Sequence, residues 1–183
     1  MFIIYNTSGL IHTKVEGDKD TDMLPIHLKR FTYIRPLGLT CGNSYPAQFP
    51  HDLSQEIKKI NAHNVLQILP NERTLLSAFF ARVQSYDPDL FASHNLFGFE
   101  FDVLLSRATA NKLSDWSRLG RLRRSKVPKN INDKDITCGR ILCDTYKAAK
   151  EFLRETSYSL TSLSLSQLGV DRTEVCMCII CIV

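Results

Sequence analysis

The stretch from Asp87 to Lys129 constrains the fold of this chain more than any other part of the sequence. A short apolar run ends at His94-Asn95, as expected for a buried strand, and a turn at Gly98 leads into the carboxylates Glu100 and Asp102. A strongly basic segment completes the stretch. A strand followed by a turn and an acidic helix start is typical of an α/β layer, so this order favours an α/β domain.

Strands and helices alternate along the rest of the chain. Apolar periodicity predicts strands over residues 2–14 (one or two segments), 28–35, 65–69, 90–92 and 137–143. It predicts helices over residues 51–62, 72–85, 99–110, 145–155 and 159–168. Asn71 and Asp144 precede two of these helices and are expected to cap them. This alternation again favours a layered α/β fold.

Length and composition limit the class of protein. A chain of 183 residues corresponds to about one domain, and its 44% hydrophobic content is close to the globular average. The net charge of +4 is mild. No signal peptide is recognisable, and no apolar run approaches the roughly 20 residues that span a bilayer. We therefore expect a soluble intracellular protein with reduced cysteines and no membrane partner.

Several segments resemble the exonuclease domain of family B DNA polymerases. They are ERTLL at 72–76, DPD at 87–89, HNLFGFEFD at 94–102 and CGRILCDTYKAAKEFL at 138–153. Together with Trp116 and the basic segment, they are most similar to the alpha-type branch of the family, which extends primers in eukaryotic replication. The resemblance runs from about Gly9 to Gly169.

This resemblance implies a ribonuclease H-like α/β domain with a mixed β-sheet flanked by helices, incomplete at both ends. Residues 1–169 are expected to form the partial domain, without its first strand. Residues 170–183 have no counterpart in the family pattern and form an apolar, cysteine-rich tail. The end of this tail, CMCIICIV at 176–183, is uncharged and β-prone, which makes it a potential aggregation segment.

A proofreading nuclease needs several carboxylates, because two divalent metals about 4 Å apart clamp the attacking and leaving oxygens. Active family B enzymes supply them from an Asp-x-Glu pair, an Asn followed by Phe-Asp, and a Tyr-x-x-x-Asp. Asn95 and Phe99 match the second motif, with Glu100 at the aspartate position, and the other two motifs do not occur. In the resemblance those two lie upstream of Met1 and beyond Val183, and the alpha-type branch has lost these carboxylates.

We therefore predict no catalytic residue and no metal site, with vestigial motif positions at Asn95, Phe99, Glu100 and Asp102. Glu100 and Asp102 are expected to hold at most one ion, weakly. In the favoured interpretation Asn95 hydrogen-bonds the strand-to-helix turn, Gly98 permits its backbone, and Glu100 is a first-turn helix acid. Residual metal chemistry is the alternative.

A basic arm over residues 116–130 contains six cations with no acid between them: Arg118, Arg121, Arg123, Arg124, Lys126 and Lys129. Such a cluster favours contact with nucleic-acid phosphates, because neutralised phosphates release their counterions. Trp116 offers a flat ring that either stacks a base or anchors the arm to the core. The alternative for the arm is a solvated surface segment. Residues 125–136 are predicted to be a mobile loop.

The cysteines and histidines do not form a recognisable metal site. Cys138 and Cys143 flank a predicted strand and would point to opposite faces, which indicates buried structural thiols. Prenylation needs a cysteine fourth from the end, where this chain has Ile180. His94 is expected to be a packing or hydrogen-bonding residue.

The resemblance implies a parent enzyme, a nuclear DNA-directed DNA polymerase that extends an RNA–DNA primer on its template together with primase complex subunits. The palm motifs of such an enzyme do not occur in this sequence. Mg²⁺ is therefore implied for the parent, and no cofactor for this piece. We expect an inactive scaffold that contacts DNA and the remaining polymerase subdomains. Two alternatives stay open: an active 3′-5′ exonuclease, and a stand-alone nucleic-acid-binding module.

Overall fold

The computed structural model describes residues 6–12, 28–36, 49, 52–59, 66–125, 136–171, 178–179 and 181–182. The strands are β1 (Asn6–His12), β2 (Leu28–Ile34), β3 (Leu66–Ile68), β4 (Leu90–Ser93), β5 (Ile141–Asp144), β6 (Cys178–Ile179) and β7 (Cys181–Ile182). The α-helices are α1 (Leu53–Lys59), α2 (Glu72–Tyr86), α3 (Phe101–Ala110), α4 (Thr145–Phe152) and α5 (Leu160–Leu168). A π-helical turn (Leu96–Glu100) runs into α3, and a 3₁₀ helix spans Asp115–Leu119. The predicted α/β class is confirmed.

The strands form one mixed sheet in the order β3-β2-β1-β7-β4-β5, with β6 also paired to β1. β1 and β2 are antiparallel, and β3 runs parallel to β2. β4 and β5 are parallel, with Leu90 opposite Ile141 and Ser93 opposite Asp144. Because parallel strands end at the same edge of a sheet, the carboxyl ends of β4 and β5 lie side by side.

The cysteine-rich tail takes part in this sheet. β6 pairs in parallel with β1, where Thr7 lies opposite Cys178. β7 is parallel to β1 and antiparallel to β4, with Ile182 opposite both Ile11 and Phe91. The β-prone character predicted for the end of the tail is confirmed for these strands, and β7 links the two parts of the sheet.

One apolar core joins β2, β4, α2, α3 and the 3₁₀ helix. The apolar face predicted for α2 is confirmed, since five of its side chains have no exposed surface: Leu75, Leu76, Phe79, Phe80 and Val83. Phe31 and Tyr33 from β2 and Trp116 from the 3₁₀ helix complete the same cluster. Burial of this apolar surface is the main favourable contribution to folding.

Both predicted helix caps are present. At the start of α2, Asn71 Oδ1 accepts a hydrogen bond from Thr74 N at 2.8 Å. At the start of α4, Asp144 Oδ1 accepts one from Tyr146 N at 3.0 Å. Each bond satisfies an N–H that has no partner within its helix.

Glu72, in the first turn of α2, forms a buried ion pair with Arg107. Its two carboxylate oxygens accept hydrogen bonds of 2.7 and 2.6 Å from Nε and Nη2 of Arg107. The side chains are only 8% and 14% exposed. This bidentate pair ties the first turn of α2 to the last turn of α3 and raises the pKa of Arg107, chiefly through the hydrogen bonds from its guanidinium to Glu72.

Several predicted boundaries are wrong by a few residues. The helix predicted to begin at residue 99 is preceded by the π-helical turn, which begins at Leu96. The strand predicted over 137–143 covers only Ile141–Asp144. The residues before it form a turn, in which Gly139 has a φ of 87° and Arg140 N donates to Thr137 O at 2.9 Å. The helix predicted to reach residue 155 ends at Phe152, because the backbone after it is extended.

The predicted mobile loop over 125–136 is described only at its two ends. Ser125 is exposed, whereas Ile136 is 2% exposed and belongs to the core. The mobility of the loop stays a prediction. Residues 126–135 lie outside the described part of the chain. Among the helices that the structure describes, none has the length and apolar content needed to cross a bilayer.

Candidate functional site

Polar side chains meet where β4 and β5 end, and we call this group the strand-end cluster: Ser93, His94, Asn95, Glu100, Asp144 and Thr145. The parallel register places Ser93 opposite Asp144. The π-helical turn after β4 then brings Glu100 back, so that Ser93 Oγ donates a hydrogen bond to Glu100 Oε2. All three side chains are buried.

The carboxylate of Asp144 organises the backbone around it. Its Oδ1 accepts hydrogen bonds from Asn95 N and Tyr146 N, both at 3.0 Å. Its Oδ2 accepts one from Phe97 N at 3.4 Å. Asp144 therefore joins the turn after β4 to the start of α4, and the fold itself uses both of its oxygens.

Glu100 is a buried carboxyl with a raised pKa. Burial raises the pKa of Glu100 to about 7, the hydrogen bond from Ser93 opposes that rise, and the nearby charge of Asp144 adds to it. Glu100, predicted as a first-turn helix acid, ends the π-helical turn directly before α3 and is 9% exposed. Asp102 is exposed on α3. Glu100 is therefore coupled to Asp144, which the sequence did not predict.

Asn95 and Gly98 fit together in the turn between them. Asn95 has a φ of 63°, in the left-handed region that asparagine tolerates, and its main-chain oxygen accepts a hydrogen bond from Phe99 N at 3.1 Å. Its side chain makes no capping hydrogen bond. A Cβ atom at Gly98 would lie 2.2 Å from Asn95 Oδ1. Gly98 thus leaves space for the Asn95 side chain in its observed position, and its backbone does not have the positive φ for which glycine was predicted.

His94 has the hydrogen-bonding role that the sequence predicted. Its Nε2 lies 3.1 Å from the main-chain oxygen of Tyr158, and its Nδ1 lies 3.1 Å from Thr145 Oγ1. Because a carbonyl can only accept, Nε2 must carry a proton. The ring also packs edge-on against Tyr146, with centroids 5.4 Å apart. His94 therefore joins the end of β4 to α4 and to the segment before α5.

The strand-end cluster does not fit a pair of divalent metals. Metal ligation needs ionised carboxylates with free lone pairs, whereas Asp144 accepts three backbone hydrogen bonds. With its pKa near 7, Glu100 is about half protonated at neutral pH. Phe99, the other vestigial position, is 41% exposed. Within the described residues there is no group of three or more His, Cys, Asp or Glu side chains placed to hold a metal ion.

The basic arm begins as part of the core. Trp116 is 2% exposed and Leu119 has no exposed surface, so the 3₁₀ helix is held firmly against the core. The burial of Trp116 therefore matches the first of its two predicted roles less well than the second, in which it anchors the arm to the core. Its buried ring exposes no face on which a base could stack. Lys126 and Lys129 lie outside the described residues.

Arg121 is held by the turn that follows α2. Its Nε donates to Asp87 Oδ1 at 3.0 Å and its Nη2 to Asp89 Oδ1 at 2.6 Å. Its Nη1 donates to Gly139 O at 2.8 Å. Arg140, whose side chain is 2% exposed, also pairs with Asp87, at 2.9 Å. The Arg121 guanidinium is therefore engaged within the fold.

The other described cations of the arm share one pocket of about 330 Å³, which we call the arginine pocket. Its lining residues are Ser114, Asp115, Ser117, Arg118, Arg123, Arg124 and Ser125. Three arginines and one acid, Asp115, thus line the same pocket, and Asp115 lies 3.4 Å from Arg118. The sequence predicted the arginines, and the serines and Asp115 are their close neighbours along the chain.

Cys138 and Cys143 are free thiols, and each is partly buried. Cys143 lies on β5, but Cys138 lies in the turn before it. The prediction that the two flank one strand is therefore wrong, because the strand is shorter than its apolar pattern suggested.

Comparison with known proteins places the chain in a family. The model of the DNA polymerase family B exonuclease domain matches residues 41–163. The chain therefore belongs to the family B DNA polymerase exonuclease domain family, as the resemblance of its motifs predicted.

Three individual relatives within this family are of one type of polymerase subunit. The chain is 41% identical over 182 residues to the DNA polymerase alpha catalytic subunit of Oxytricha trifallax, a match that covers 91% of the chain and 11% of that protein. The same subunit from Arabidopsis thaliana is 40% identical over 161 residues, covering 81% and 10%. That from Dictyostelium discoideum is 36% identical over 169 residues, covering 92% and 10%. The chain thus spans about a tenth of the length of these relatives.

Asp144 is the site residue that sequence reasoning placed only as a helix cap. Its position could have indicated that it belongs to the site, because it ends a strand that runs parallel to the strand ending at Ser93. Register between strands so far apart in the sequence is not visible in either segment alone.

Proposed function

We propose that this chain is the exonuclease-like region of an alpha-type replicative DNA polymerase, acting as a catalytically inactive scaffold that contacts nucleic acid. The fold would be of the ribonuclease H-like type over residues 1–169, and residues 170–183 would lie outside the family domain. The matches to alpha catalytic subunits support this assignment.

The arrangement of Ser93, Glu100 and Asp144 carries the proposal of inactivity. Glu100 stands at the position of the motif aspartate, yet it is buried, accepts a hydrogen bond from Ser93 and has a pKa of about 7. Asp144 accepts three hydrogen bonds from backbone N–H groups. In place of metal ligands, the two carboxyl groups hold a turn together.

An apolar groove supports the scaffold role. It has a volume of about 580 Å³, lies between α4 and α5, and includes Phe152 and Leu168, which are 79% and 74% exposed. Large apolar side chains exposed together mark interaction surfaces. The relatives are about ten times as long as the matched region. We therefore assign the groove to contact with a neighbouring subdomain of the same polymerase.

The parent would extend an RNA–DNA primer on its template, with primase complex subunits as partners, in the nucleus. Mg²⁺ would serve the polymerase site of the parent, and its ligands would come from the palm subdomain.

A nuclease assay tests the central part of this proposal. The purified chain and its Glu100→Ala variant are incubated with Mg²⁺ or Mn²⁺ and a 3′-labelled oligonucleotide. We expect neither protein to shorten the labelled oligonucleotide. Processive shortening by the wild-type chain that Glu100→Ala abolishes would establish the rival function, an active 3′-5′ exonuclease.

The arginine pocket favours a second candidate, a stand-alone nucleic-acid-binding module. Such a module would bind DNA tightly without the rest of the polymerase. Titration of the isolated chain with DNA separates the two functions, because a scaffold that supplies one contact among many binds weakly by itself.

A further inference from the structure

The arginine pocket is built on a firmly held part of the backbone. Trp116 and Leu119, on either side of Arg118, are buried in the core. The chain then passes so close to residue 136 that a Cβ atom at Gly120 would lie 2.9 Å from Ile136 O. A ligand of Arg118 therefore meets a group whose backbone is already ordered, which lowers the entropic cost of binding.

The side chains of the pocket have the chemistry of a phosphate site. Guanidinium groups donate pairs of hydrogen bonds that match phosphate oxygens, and they remain charged at any physiological pH. The three arginines stand beside three serine hydroxyls, which can also donate: Ser114, Ser117 and Ser125. A volume of about 330 Å³ is at the small end of ligand pockets. One phosphate group therefore fits within the pocket.

Asp115 is the acid among the lining residues, and it does not cancel the positive charge. Its carboxylate pairs with Arg118 at 3.4 Å and also accepts a hydrogen bond of 3.4 Å from Ser77 Oγ. A guanidinium carries five N–H donors, so one ion pair leaves Arg118 with others. Arg123 and Arg124 line the same pocket.

We propose that the arginine pocket seats one backbone phosphate of a nucleic-acid strand, shared by Arg118, Arg123 and Arg124. This rests on the nucleic-acid contact proposed above and gives that contact a site. Arg121 is not part of it, because its donors are used by Asp87 and Asp89. In its described part, up to Ser125, the arm therefore provides one phosphate site and not a row of independent contacts.

The salt dependence of binding separates a shared phosphate from scattered ones. Each phosphate neutralised on a single strand contributes about 0.7 to the slope of log affinity against log salt. If one phosphate is shared, the triple variant Arg118→Gln/Arg123→Gln/Arg124→Gln loses about 0.7 from the slope. If each arginine has its own phosphate, the same variant loses about 2.

The experiment uses the full chain and a fluorescein-labelled single-stranded oligothymidylate, titrated over roughly 50–200 mM KCl. We compare the single variants and the triple variant with the wild-type chain. The control is Arg154→Gln, because Arg154 is an exposed arginine outside the pocket. We expect weaker binding in each pocket variant, the smaller loss of slope in the triple variant, and no change in the control. If the triple variant loses about 2 from the salt slope, or loses nothing, the shared phosphate site is wrong but the nucleic-acid contact stands. Failure of the wild-type chain to bind overturns both.

A measurement without substitutions guards against variants that fail to fold. Inorganic phosphate is added to the ¹⁵N-labelled wild-type chain at constant ionic strength, and the arginine Nε–H signals are followed by NMR. We expect the signals of Arg118, Arg123 and Arg124 to shift together while that of Arg154 stays in place. Shifts of equal size in all four would contradict the proposal.

Discussion

Arg121 Nε donates a hydrogen bond to Asp87 Oδ1 at 3.0 Å, across 34 residues of sequence. The most basic segment of the chain is thus joined to the turn after α2 by one of its own cations. The same guanidinium reaches Asp89 at 2.6 Å, and Arg140 reaches Asp87 from the other side. Asp87 has a φ of 44°, and its pKa is lowered, first by the hydrogen bond from Arg121. The acids of this turn and the two arginines form one structural unit.

This unit predicts that Arg121 and Arg123 act in different ways. Arg121→Gln should lower the urea midpoint of unfolding, because Asp87 and Asp89 lose a shared partner, and should leave the salt slope of DNA binding unchanged. Arg123→Gln should weaken DNA binding and leave the urea midpoint of unfolding unchanged. Unfolding is followed by the fluorescence of Trp116, the single tryptophan of the chain. Equal effects of the two substitutions on both measurements would contradict the division of the arm.

The pKa of Glu100 predicts a pH dependence of stability. The ordinary value is 4.5, and burial raises the pKa to about 7 in the folded chain. Between these values the folded chain binds more protons than the unfolded chain, so stability falls as the pH rises. The full contribution is present below pH 4.5 and is lost as the pH passes 7, a change of up to roughly 3 kcal/mol.

Glu100→Gln tests this pH dependence, because glutamine keeps an oxygen for the Ser93 hydroxyl and does not titrate. The variant should show a flatter profile of unfolding free energy across this range and should be more stable than wild type at pH 8. Asp102→Asn, on the exposed neighbour, is the matched control and should leave the profile as it is. A wild-type slope that survives in Glu100→Gln would mean that another group titrates.

The bidentate pair between Glu72 and Arg107 predicts a large loss of stability when it is broken. Both side chains are mostly buried, so Glu72→Gln leaves the Arg107 charge without its counter-ion, at a cost of about 3 kcal/mol. The double variant Glu72→Met/Arg107→Met should lose less, because it leaves no buried charge. Urea unfolding measures both. A double variant as unstable as the single one would show that the pair contributes through packing and not through charge.

Much of the fold followed from local pattern. The apolar stripe and the Asn71 cap predicted α2 to within one residue, and the β-branched and aromatic run at 28–35 predicted β2. The shortened β5 did not follow, because the turn at Gly139 precedes it within an apolar run that looks like one strand. Such a conformation depends on tertiary contacts of Arg121, whose N donates to Cys138 O and whose Nη1 donates to Gly139 O, and a local pattern does not contain these contacts.

The candidate site, like the fold, was only partly predictable from local sequence pattern. The motif positions Asn95 and Glu100 could be found because they are close in sequence. Their coupling to Asp144 depends on the register of β4 against β5, and the pairing of Arg121 with Asp87 depends on how the 3₁₀ helix packs near α2. Both are contacts between distant segments, so the sequence predicted the side chains but not the use the fold makes of them.

The fit of Asn95 against Gly98 predicts a compensating substitution. Gly98→Ala places a methyl group 2.2 Å from Asn95 Oδ1 and should destabilise the chain by about 1–3 kcal/mol. Adding Asn95→Gly removes the obstructing side chain, and glycine adopts the left-handed conformation of residue 95 without strain. Thermal unfolding of the double variant should therefore recover part of the loss. Purely additive losses would indicate that the two residues do not compete for space.

The central claim is that the carboxyl groups at the ends of β4 and β5 hold the fold together and do not bind a pair of catalytic metals. Anomalous diffraction from crystals of the chain grown with Mn²⁺ and an oligonucleotide tests it most directly. We predict no pair of Mn²⁺ ions at Glu100 and Asp144, with the hydrogen bonds from Ser93, Asn95 and Tyr146 intact. Two Mn²⁺ ions about 4 Å apart, bridged by these two carboxylates, would contradict the account.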